Sequence, residues 1–195
     1  VKLVPLHEGE FYHFGSNSDM IDSTLRLQNR ISDQRLKYAR ESDHHPSLFQ
    51  QNAEVEIRFS NENHHIWIEN CHISDGWRLG HHHILTGIPE NHWEVELPEG
   101  ICIDMVPLGE EVFCLRVYGY EDGFRESISE GGRWMNRPLE DWLKLKRIIP
   151  EAAGLQEDRS LYELPLFPKG SMGELQEILN SLLNDERDGS LWLRS

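Results

Sequence analysis

A six-residue spacing of apolar residues runs through the middle of the chain. Five apolar residues fall on this spacing: Val55, Trp67, Ile73, Leu79 and Leu85. Only Asn61 breaks it, and small or polar residues fill the positions between. A period of six is neither the alternation of a strand nor the 3.6 of a helix. It is typical of a parallel β-helix, in which three such sides make a coil of about 18 residues, so the stretch predicts about two coils.

The patterns before and after this stretch predict ordinary elements. LVPLHEGEFYHFG predicts two short strands around a turn, SNSDMIDSTLRLQNRI predicts a helix capped by Ser16 or Ser18, and SDQRLKYARESDHHPS predicts an exposed excursion. WEVEL alternates, which places Trp93, Val95 and Leu97 on one face of a strand. ICIDMVPLG and EVFCLRVYGY predict two more strands, separated by a turn at Gly-Glu.

Two helices are predicted towards the end of the chain. PLEDWLKLKRII has Pro138 at a first helical position, and its predicted inward face is Trp142, Leu143, Leu145 and Ile149. SMGELQEILNSLL has a capping box formed by Ser171 and Glu174. Its apolar residues at helical spacing are Leu175, Ile178, Leu179 and Leu182.

The charge balance narrows the classes of partner. Among 195 residues, 34 acidic side chains face 19 basic ones, a net charge of −15. Such a chain repels phosphate backbones and anionic bilayers, so we expect neither nucleic acid nor a membrane as partner. The three cysteines, Cys71, Cys102 and Cys114, are too few and too widely spaced for a disulfide framework. Reduced thiols and the absence of a signal-peptide pattern in VKLVPLHEGEFYHF predict a cytoplasmic protein.

Six of the 11 histidines lie between His64 and Ile88 and raise the question of a metal site. With an 18-residue coil, the pair His64 and His65 would lie directly above the pair His82 and His83, and the four imidazoles would share a metal. No HExxH pattern or convincingly spaced cysteine or carboxylate accompanies them. The favoured interpretation is therefore solvated outer side chains with no metal, and the four-histidine metal site is kept as the alternative.

Other motifs point away from catalysis by this chain. GxGxxG, GxxxxGK[ST] and GxSxG are all absent, so the usual phosphate-binding loops and the nucleophile elbow are missing. Asp104 sits inside the apolar run ICIDMV, where a carboxylate needs a partner. We expect it to pair with a local arginine, with a site role as the second interpretation.

Three segments resemble a known enzyme family. FYHFGS, HILTGIPENHWEVELPEGICIDMVPLG and LYELPLFP together resemble the L-fucokinase/fucose-1-phosphate guanylyltransferase family, from about Gly9 to about Arg194. The resemblance implies the guanylyltransferase half of an enzyme that makes GDP-L-fucose and diphosphate from GTP and L-fucose 1-phosphate, with Mg²⁺ in the parent enzyme. In that context a nucleotide-binding domain is expected before Val1 and a sugar kinase domain after Ser195. The chain is then a fragment or a reduced relative, and the missing domains are its partners.

The resemblance also implies a fold and a domain order. Sugar-nucleotide pyrophosphorylases commonly carry a left-handed β-helix, so the expected fold is mainly β, with a short left-handed parallel β-helix-like core, further strands and C-terminal helices. Residues 1–50 would join the missing catalytic domain, residues 51–130 would form the core, and residues 131–195 would pack on it as a helical segment. We expect a homo-oligomer held by the coils.

The resemblance places FYHFGS where the catalytic domain meets the β-helix. His13, Gly15 and Ser16 are therefore candidates to approach a sugar phosphate at a helix N-terminus, and a plain strand–helix junction is the alternative. No catalytic residue is assigned. The leading functional hypothesis is a non-catalytic interdomain module, inactive alone, of the GDP-fucose-forming enzyme. The alternative is a stand-alone β-helix protein that binds a sugar or a metal; an enzyme acting alone ranks third.

Overall fold

The protein is built mainly of strands with three helices. The computed structural model describes residues 9–30, 45–185 and 189–192. The helices are α1 (Asn17–Asn29), α2 (Leu139–Leu145) and α3 (Met172–Leu183). The first seven strands are β1 (Leu48–Gln51), β2 (Glu54–Val55), β3 (Ile66–Glu69), β4 (His72–Ile73), β5 (Trp77–Leu79), β6 (His83–Thr86) and β7 (Val95–Leu97). The other five are β8 (Ile101–Gly109), β9 (Val112–Gly119), β10 (Arg133–Trp134), β11 (Arg137–Pro138) and β12 (Lys169–Gly170).

Strands β1 to β8 form a solenoid of about three coils with three faces. The widest face pairs β1, β3, β6 and β8 in parallel, the second pairs β2 with β4, and the third pairs β5 with β7. Equivalent residues are 18 apart in most pairs, as between Leu48 and Ile66, but 17 apart between β3 and β6. The β-helix-like core is therefore confirmed, while its left hand stays a prediction.

The interior of the solenoid is filled by one apolar residue per side and coil. On the widest face, Ile68, Leu85 and Ile103 lie one above the next, and all three are fully buried. The face behind them contributes Ile73, also fully buried. Side chains of successive strand residues point to opposite sides, so the residues between these positions face outward. Burial of such a stack is the main stabilising term of a solenoid.

The predicted grid is correct on two faces and wrong on one. Ile73 and Leu85 are fully buried, and Val55 and Leu79 pack half-buried against the same core. Trp67 instead points outward, where it stacks on Phe49 at 4.0 Å between ring centroids. The uniform spacing of six fails there because the strand before the corner is read one residue out of phase.

Helix α1 covers the outer side of the widest face. Ile21 and Leu25 are buried against Ile84 and Cys102, together with Tyr120. Ser16 caps the helix, accepting a hydrogen bond from the Asp19 N–H at 3.1 Å. Of the two serines predicted as caps, the first is therefore the one used.

The chain beyond Pro89 does not leave the solenoid at once, contrary to the sequence prediction. WEVEL forms β7 and its Trp93, Val95 and Leu97 are buried as predicted, but the strand pairs in parallel with β5. The predicted strands ICIDMVPLG and EVFCLRVYGY are β8 and β9, an antiparallel hairpin that turns near Gly109. This hairpin ends the parallel stack, and β12 pairs with its outer edge.

The C-terminal helices pack on the end of the solenoid core. The capping box of Ser171 and Glu174 is present, and the four predicted inward residues of α3 are buried. Helix α2 is shorter than predicted: Trp142 and Leu143 are buried, but Leu145 and Ile149 are exposed. The helix ends before Arg147, whose φ is positive, so the later isoleucine leaves the helical face.

Several remaining predictions meet the structure only in part. Residues 9–14 form no strand, and the rest of the predicted N-terminal strand pair lies outside the described residues. Most of the predicted exposed excursion, residues 31–44, also lies outside them. The three cysteines are free, with Cys71 and Cys102 buried. Within the described part of the chain, none of the helices has the length and apolar character needed to cross a bilayer.

Candidate functional site at a corner of the solenoid

Four histidines and a glutamate gather at the corner that precedes the widest face. When the coils are aligned by strand register, HHIWIE, HHHILT and EGICID lie one above the next. His64 therefore stacks on His81, with Glu99 next, while His65 stacks on His82, with Gly100 next. We call His64, His65, His81, His82 and Glu99 the histidine corner.

The imidazoles of the histidine corner are in close contact. The ring centroids of His64 and His81 are 4.3 Å apart, and those of His65 and His82 are 5.0 Å apart, in near-parallel stacks. Within each coil, adjacent rings face each other through Nδ1: the atoms of His64 and His65 are 3.1 Å apart, and those of His81 and His82 are 3.0 Å apart. One donor atom each from His64, His81 and His82 lies within 4.8 Å of the others.

Two carboxylates flank the imidazoles. Oε1 of Glu99 is 2.9 Å from Nδ1 of His81 and 3.8 Å from Nδ1 of His82. On the other side, Nε2 of His65 is 3.2 Å from Oδ1 of Asp22 on α1. The corner thus combines nitrogen donors with one carboxylate in contact and a second carboxylate behind.

The surroundings hold two of these imidazoles neutral. Desolvation, followed by repulsion from His81 and His65, lowers the pKa of His64. Desolvation, followed by the charges of His65, His81 and His64, lowers the pKa of His82. Glu99 opposes both shifts without cancelling them. Neutral imidazole is the protonation state that binds metal ions.

The backbone of the corner explains its shape. His65, His82 and Gly100 stack in the left-handed region, with φ of 55°, 60° and 72°. Asn63 closes the turn, because its Nδ2 donates to the carbonyl oxygens of Leu79 at 2.8 Å and Gly80 at 2.9 Å. A non-glycine residue in this region is uncommon and is enriched in Asn, Asp and His.

His83 does not belong to the corner, which corrects the predicted four-histidine set. The 17-residue step between β3 and β6 stacks His64 on His81 and His65 on His82, one residue earlier than an 18-residue coil predicts. His83 points inward and is fully buried, and its Nδ1–H donates to the carbonyl of Ile101 at 2.8 Å. Its Nε2 accepts from the Gly80 N–H at 3.1 Å, and burial lowers its pKa to about 4.

His81 and Glu99 are the two members of the corner that the sequence prediction missed. A constant coil length assigned the imidazoles to the wrong partners and left the glutamate unconsidered. Alignment of the hexads HHIWIE, HHHILT and EGICID, which share an apolar residue at every second position, was the available signal.

A second group of donors, Glu54, Glu56 and His72, is less suited to a metal ion. Nδ1 of His72 accepts from the Asn91 N–H at 3.2 Å, so the ring proton of the neutral imidazole lies on Nε2. That nitrogen faces Oε1 of Glu56 at 3.5 Å and acts as a donor. Both glutamates are exposed, and the arrangement is an ordinary surface pair.

The predicted substrate-proximal residues form a junction at the start of α1. Nδ1 of His13 lies 3.0 Å from Oδ2 of Asp19, and the Ser16 hydroxyl donates to the same oxygen at 2.7 Å. The His13 ring occupies the space a Cβ on Gly15 would need. A carboxylate therefore already lies at the helix N-terminus, where an anion is favoured. Contact with a sugar phosphate stays a prediction.

Asp104 has the arginine partner that was predicted. Its Oδ2 lies 3.5 Å from Nη1 of Arg116 on the neighbouring strand. The hydroxyls of Thr86 and Tyr118 donate to its Oδ1 at 2.8 Å and 3.2 Å. This half-buried carboxylate is satisfied by its own sheet.

A cleft of about 1000 Å³ lies between the third face of the solenoid and α3. Its lining includes Arg78 on one side and three carboxylates, Glu96, Glu99 and Asp185. Arg78 is its one cationic side chain. Such a charge balance disfavours a triphosphate, which is bound through Lys, Arg and divalent cations.

Comparison with known proteins gives one consistent result. The fucose pyrophosphorylase domain family matches residues 1–171. An L-fucokinase/L-fucose-1-P guanylyltransferase from Bacteroides fragilis is 36% identical over 201 residues. That match covers 100% of this chain and 21% of the relative, so the chain spans about a fifth of the relative's length. No solved structure matches.

Proposed function

The chain belongs to the fucose pyrophosphorylase family, and from this premise we propose that it is a non-catalytic module of an enzyme that makes GDP-L-fucose. In the whole enzyme, GTP and L-fucose 1-phosphate would give GDP-L-fucose and diphosphate, with Mg²⁺ assisting. The module would hold a nucleotide-binding domain and a sugar kinase domain in a fixed relation. It would also contribute contacts between copies in a homo-oligomer.

The charge of the cleft beside α3 is the observation that carries this proposal. Guanylyl transfer depends on positioning phosphates and neutralising their charge, and no covalent step by the protein is required. Arg78 faces three carboxylates there, and its Nη1 is already engaged by the carbonyl oxygens of Asp75 and Trp77, both at 2.9 Å. Added to a net charge of −15, this supports a role in arranging catalytic domains.

A rigid solenoid suits such a role. Its interior is packed with aliphatic and aromatic residues, and close-packed interiors transmit position with little deformation. Helix α1 covers one outer side, and α2 and α3 pack on the same core, so the module presents fixed surfaces.

The direct test is an assay of the purified 195-residue chain. GTP, L-fucose 1-phosphate and Mg²⁺ are supplied, and GDP-fucose and diphosphate are measured, with the Bacteroides fragilis relative assayed in parallel. Near-ultraviolet circular dichroism of the buried tryptophans confirms that the chain is folded. We expect no GDP-fucose above the no-protein control; its formation by the folded chain would overturn the proposal.

A variant in a longer enzyme containing this chain separates a structural from a catalytic cleft. Arg78→Gln should leave kcat and KM for both substrates within about twofold, because the proposal gives the side chain no contact with phosphate. Glu94→Gln, at an exposed position of the same solenoid, is the matched control. A tenfold or greater loss confined to the arginine variant would assign the cleft to catalysis.

A second candidate function, a stand-alone sugar- or metal-binding protein, is favoured by the histidine corner. Titration of the folded chain with L-fucose and with L-fucose 1-phosphate by calorimetry tests the sugar version. Saturable binding of either at micromolar concentration would favour it over the interdomain role.

A further inference from the structure

The histidines at one corner exceed what the backbone there requires. A second stack with left-handed φ lies at the other end of the widest face and consists of Asn52, Asn70 and Gly87, with φ of 46°, 53° and 68°. Asparagine and glycine adopt this conformation readily and meet the geometric need. Their counterparts at the histidine corner are His65, His82 and Gly100. The backbone therefore accounts for neither the imidazoles nor the adjacent His64 and His81.

The donor atoms of the histidine corner have the spacing of a metal site. In a tetrahedral zinc site with metal–nitrogen distances of about 2.0–2.1 Å, neighbouring ligand atoms are about 3.3 Å apart. The contacts from Nδ1 of His81 to Nδ1 of His82 and to Oε1 of Glu99 are 3.0 Å and 2.9 Å. The donor of His64 lies within 4.8 Å of those of His81 and His82, so a modest rotation of its ring closes the set.

The proton count at these nitrogens favours a shared cation. When two Nδ1 atoms face each other at 3.0–3.1 Å, no more than one of them carries a proton. In the pair next to Glu99, the proton on His81 serves the carboxylate, which leaves a lone pair on His82. Each pair thus directs at least one lone pair into a space bordered by a carboxylate.

From this geometry we propose that the histidine corner binds a divalent transition-metal ion of the zinc type through His64, His81, His82 and Glu99. Imidazole nitrogens with one carboxylate suit Zn²⁺, Ni²⁺ or Cu²⁺, whereas Mg²⁺ demands oxygen ligands. The proposal is independent of any guanylyltransferase role, because none of these side chains is assigned to nucleotide or sugar.

His65 is a positioning residue in this proposal. Its Nδ1 contacts Nδ1 of His64, and its Nε2 faces Oδ1 of Asp22. A carboxylate behind an imidazole fixes its tautomer and orientation, the usual arrangement around metal-bound histidines. It also links the site to α1, which covers the widest face.

The bound ion would join three successive coils. His64 belongs to the first, His81 and His82 to the second, and Glu99 to the third. A ligand that binds the folded chain and not the unfolded one raises stability by mass action. The metal would therefore act as a cross-link along the solenoid.

The test uses the tag-free 195-residue chain after removal of metals with a chelator. Zn²⁺ is titrated against a chromophoric competitor, and Co²⁺ is added to read the coordination from its visible absorption. We expect one equivalent of each to bind, a higher Tm with Zn²⁺, and no competition by millimolar Mg²⁺. Absence of saturable binding at micromolar Zn²⁺ by the folded chain would overturn the proposal.

Matched variants locate the ion. His81→Gln, His82→Asn and Glu99→Gln should each weaken Zn²⁺ binding at least tenfold and alter the Co²⁺ spectrum. His92→Ala, which removes an exposed imidazole outside the corner, should change neither. An equal loss in the His92 variant, or full affinity in all three corner variants, would show adventitious binding and refute the site.

A measurement on the unmodified chain keeps the test decisive if a variant does not fold. Imidazole nitrogen NMR signals of His64, His81 and His82 should shift on addition of Zn²⁺, while those of His72 and His92 should stay. Shifts confined to the latter two would place the ion elsewhere and refute the proposal.

Discussion

The two stacked corners that flank the widest face solve one backbone problem with different side chains. At one, Asn52 donates through Nδ2 to Oδ1 of Asn70 at 2.7 Å, and Gly87 completes the stack. At the other, His65 and His82 stack their rings, and Gly100 completes the stack. Both corners place these residues at φ between 46° and 72°. The asparagine corner is explained by conformation and hydrogen bonding, whereas the histidine corner carries chemistry that the fold does not need.

The glycines that end the two stacks are required for different degrees of crowding. A Cβ on Gly87 would overlap the carbonyl oxygen of Met105, which is backbone and cannot move away. A Cβ on Gly100 would meet the amide nitrogen of Asn136 at 2.9 Å. That side chain also donates to the Gly100 carbonyl, so the contact is part of the corner.

The largest expected effect is at the asparagine corner. Gly87→Ala should lower the free energy of unfolding by about 3–4 kcal/mol, since it combines a left-handed φ with a backbone overlap. Urea denaturation followed by tryptophan fluorescence measures this. The control is Gly109→Ala, where φ is not positive and nothing lies near the added methyl; a similar loss in both variants would contradict the steric explanation.

Acid should expose the buried histidine behind the other corner. The pKa of His83 is about 4 in the folded protein and about 6.5 unfolded, so the unfolded chain binds the proton more tightly. Its contribution, about 3 kcal/mol, is complete above pH 6.5 and is lost as the pH falls towards 4. His64 and His82, whose pKa values are also lowered, act in the same direction.

The variant His83→Ile isolates this contribution. Ile66 and Ile101 occupy the same inward position in the neighbouring coils, so isoleucine fits the column. The variant should be less stable at pH 8, where two hydrogen bonds are lost, but its stability should fall less between pH 7 and pH 4. Identical pH slopes in chemical denaturation of the two proteins would show that His83 is not the group responsible.

Asn70 tests how much of its corner is conformation. Asn70→Ala should destabilise the protein by about 1–2 kcal/mol, because alanine is unfavourable at positive φ and the contact with Asn52 is lost. Asn70→Gly removes the contact but keeps the φ, and should cost less than the alanine variant. If glycine costs as much as alanine, the hydrogen bond and not the φ decides the effect.

The smallest effect is expected at the histidine corner without metal. His82→Asn keeps a residue that tolerates positive φ and should change the metal-free stability by no more than about 0.5 kcal/mol. Thermal unfolding in excess chelator measures this. A loss comparable to that of Asn70→Ala would mean that the imidazole stack is a structural requirement of the solenoid.

Some elements could be predicted because their signals are local. The capping box of Ser171 and Glu174 and the buried stripe of α3 depend on residues three and four apart, which a sequence displays directly. The hairpin of β8 and β9 was predicted from alternation and a turn. Leu145 and Ile149 were assigned wrongly because periodicity cannot show where a helix ends.

The candidate site was predicted only in outline. The richness in histidine was visible, and so was the six-residue spacing, which predicts stacked coils. Which histidines meet depends on one residue fewer in the coil between β3 and β6. That single residue turns His83 into the core and brings His81 and Glu99 together.

The sequence by itself determined that the chain forms a solenoid, because an apolar residue at regular spacing is buried only when coils stack. It also determined the acidic character and the terminal helix, both of which depend on composition or neighbouring residues. The tertiary structure alone decided the partners across coils, the direction of each histidine and the outward position of Trp67. Coil length and the start of each strand set these together, and a shift of one residue moves a side chain to the opposite face.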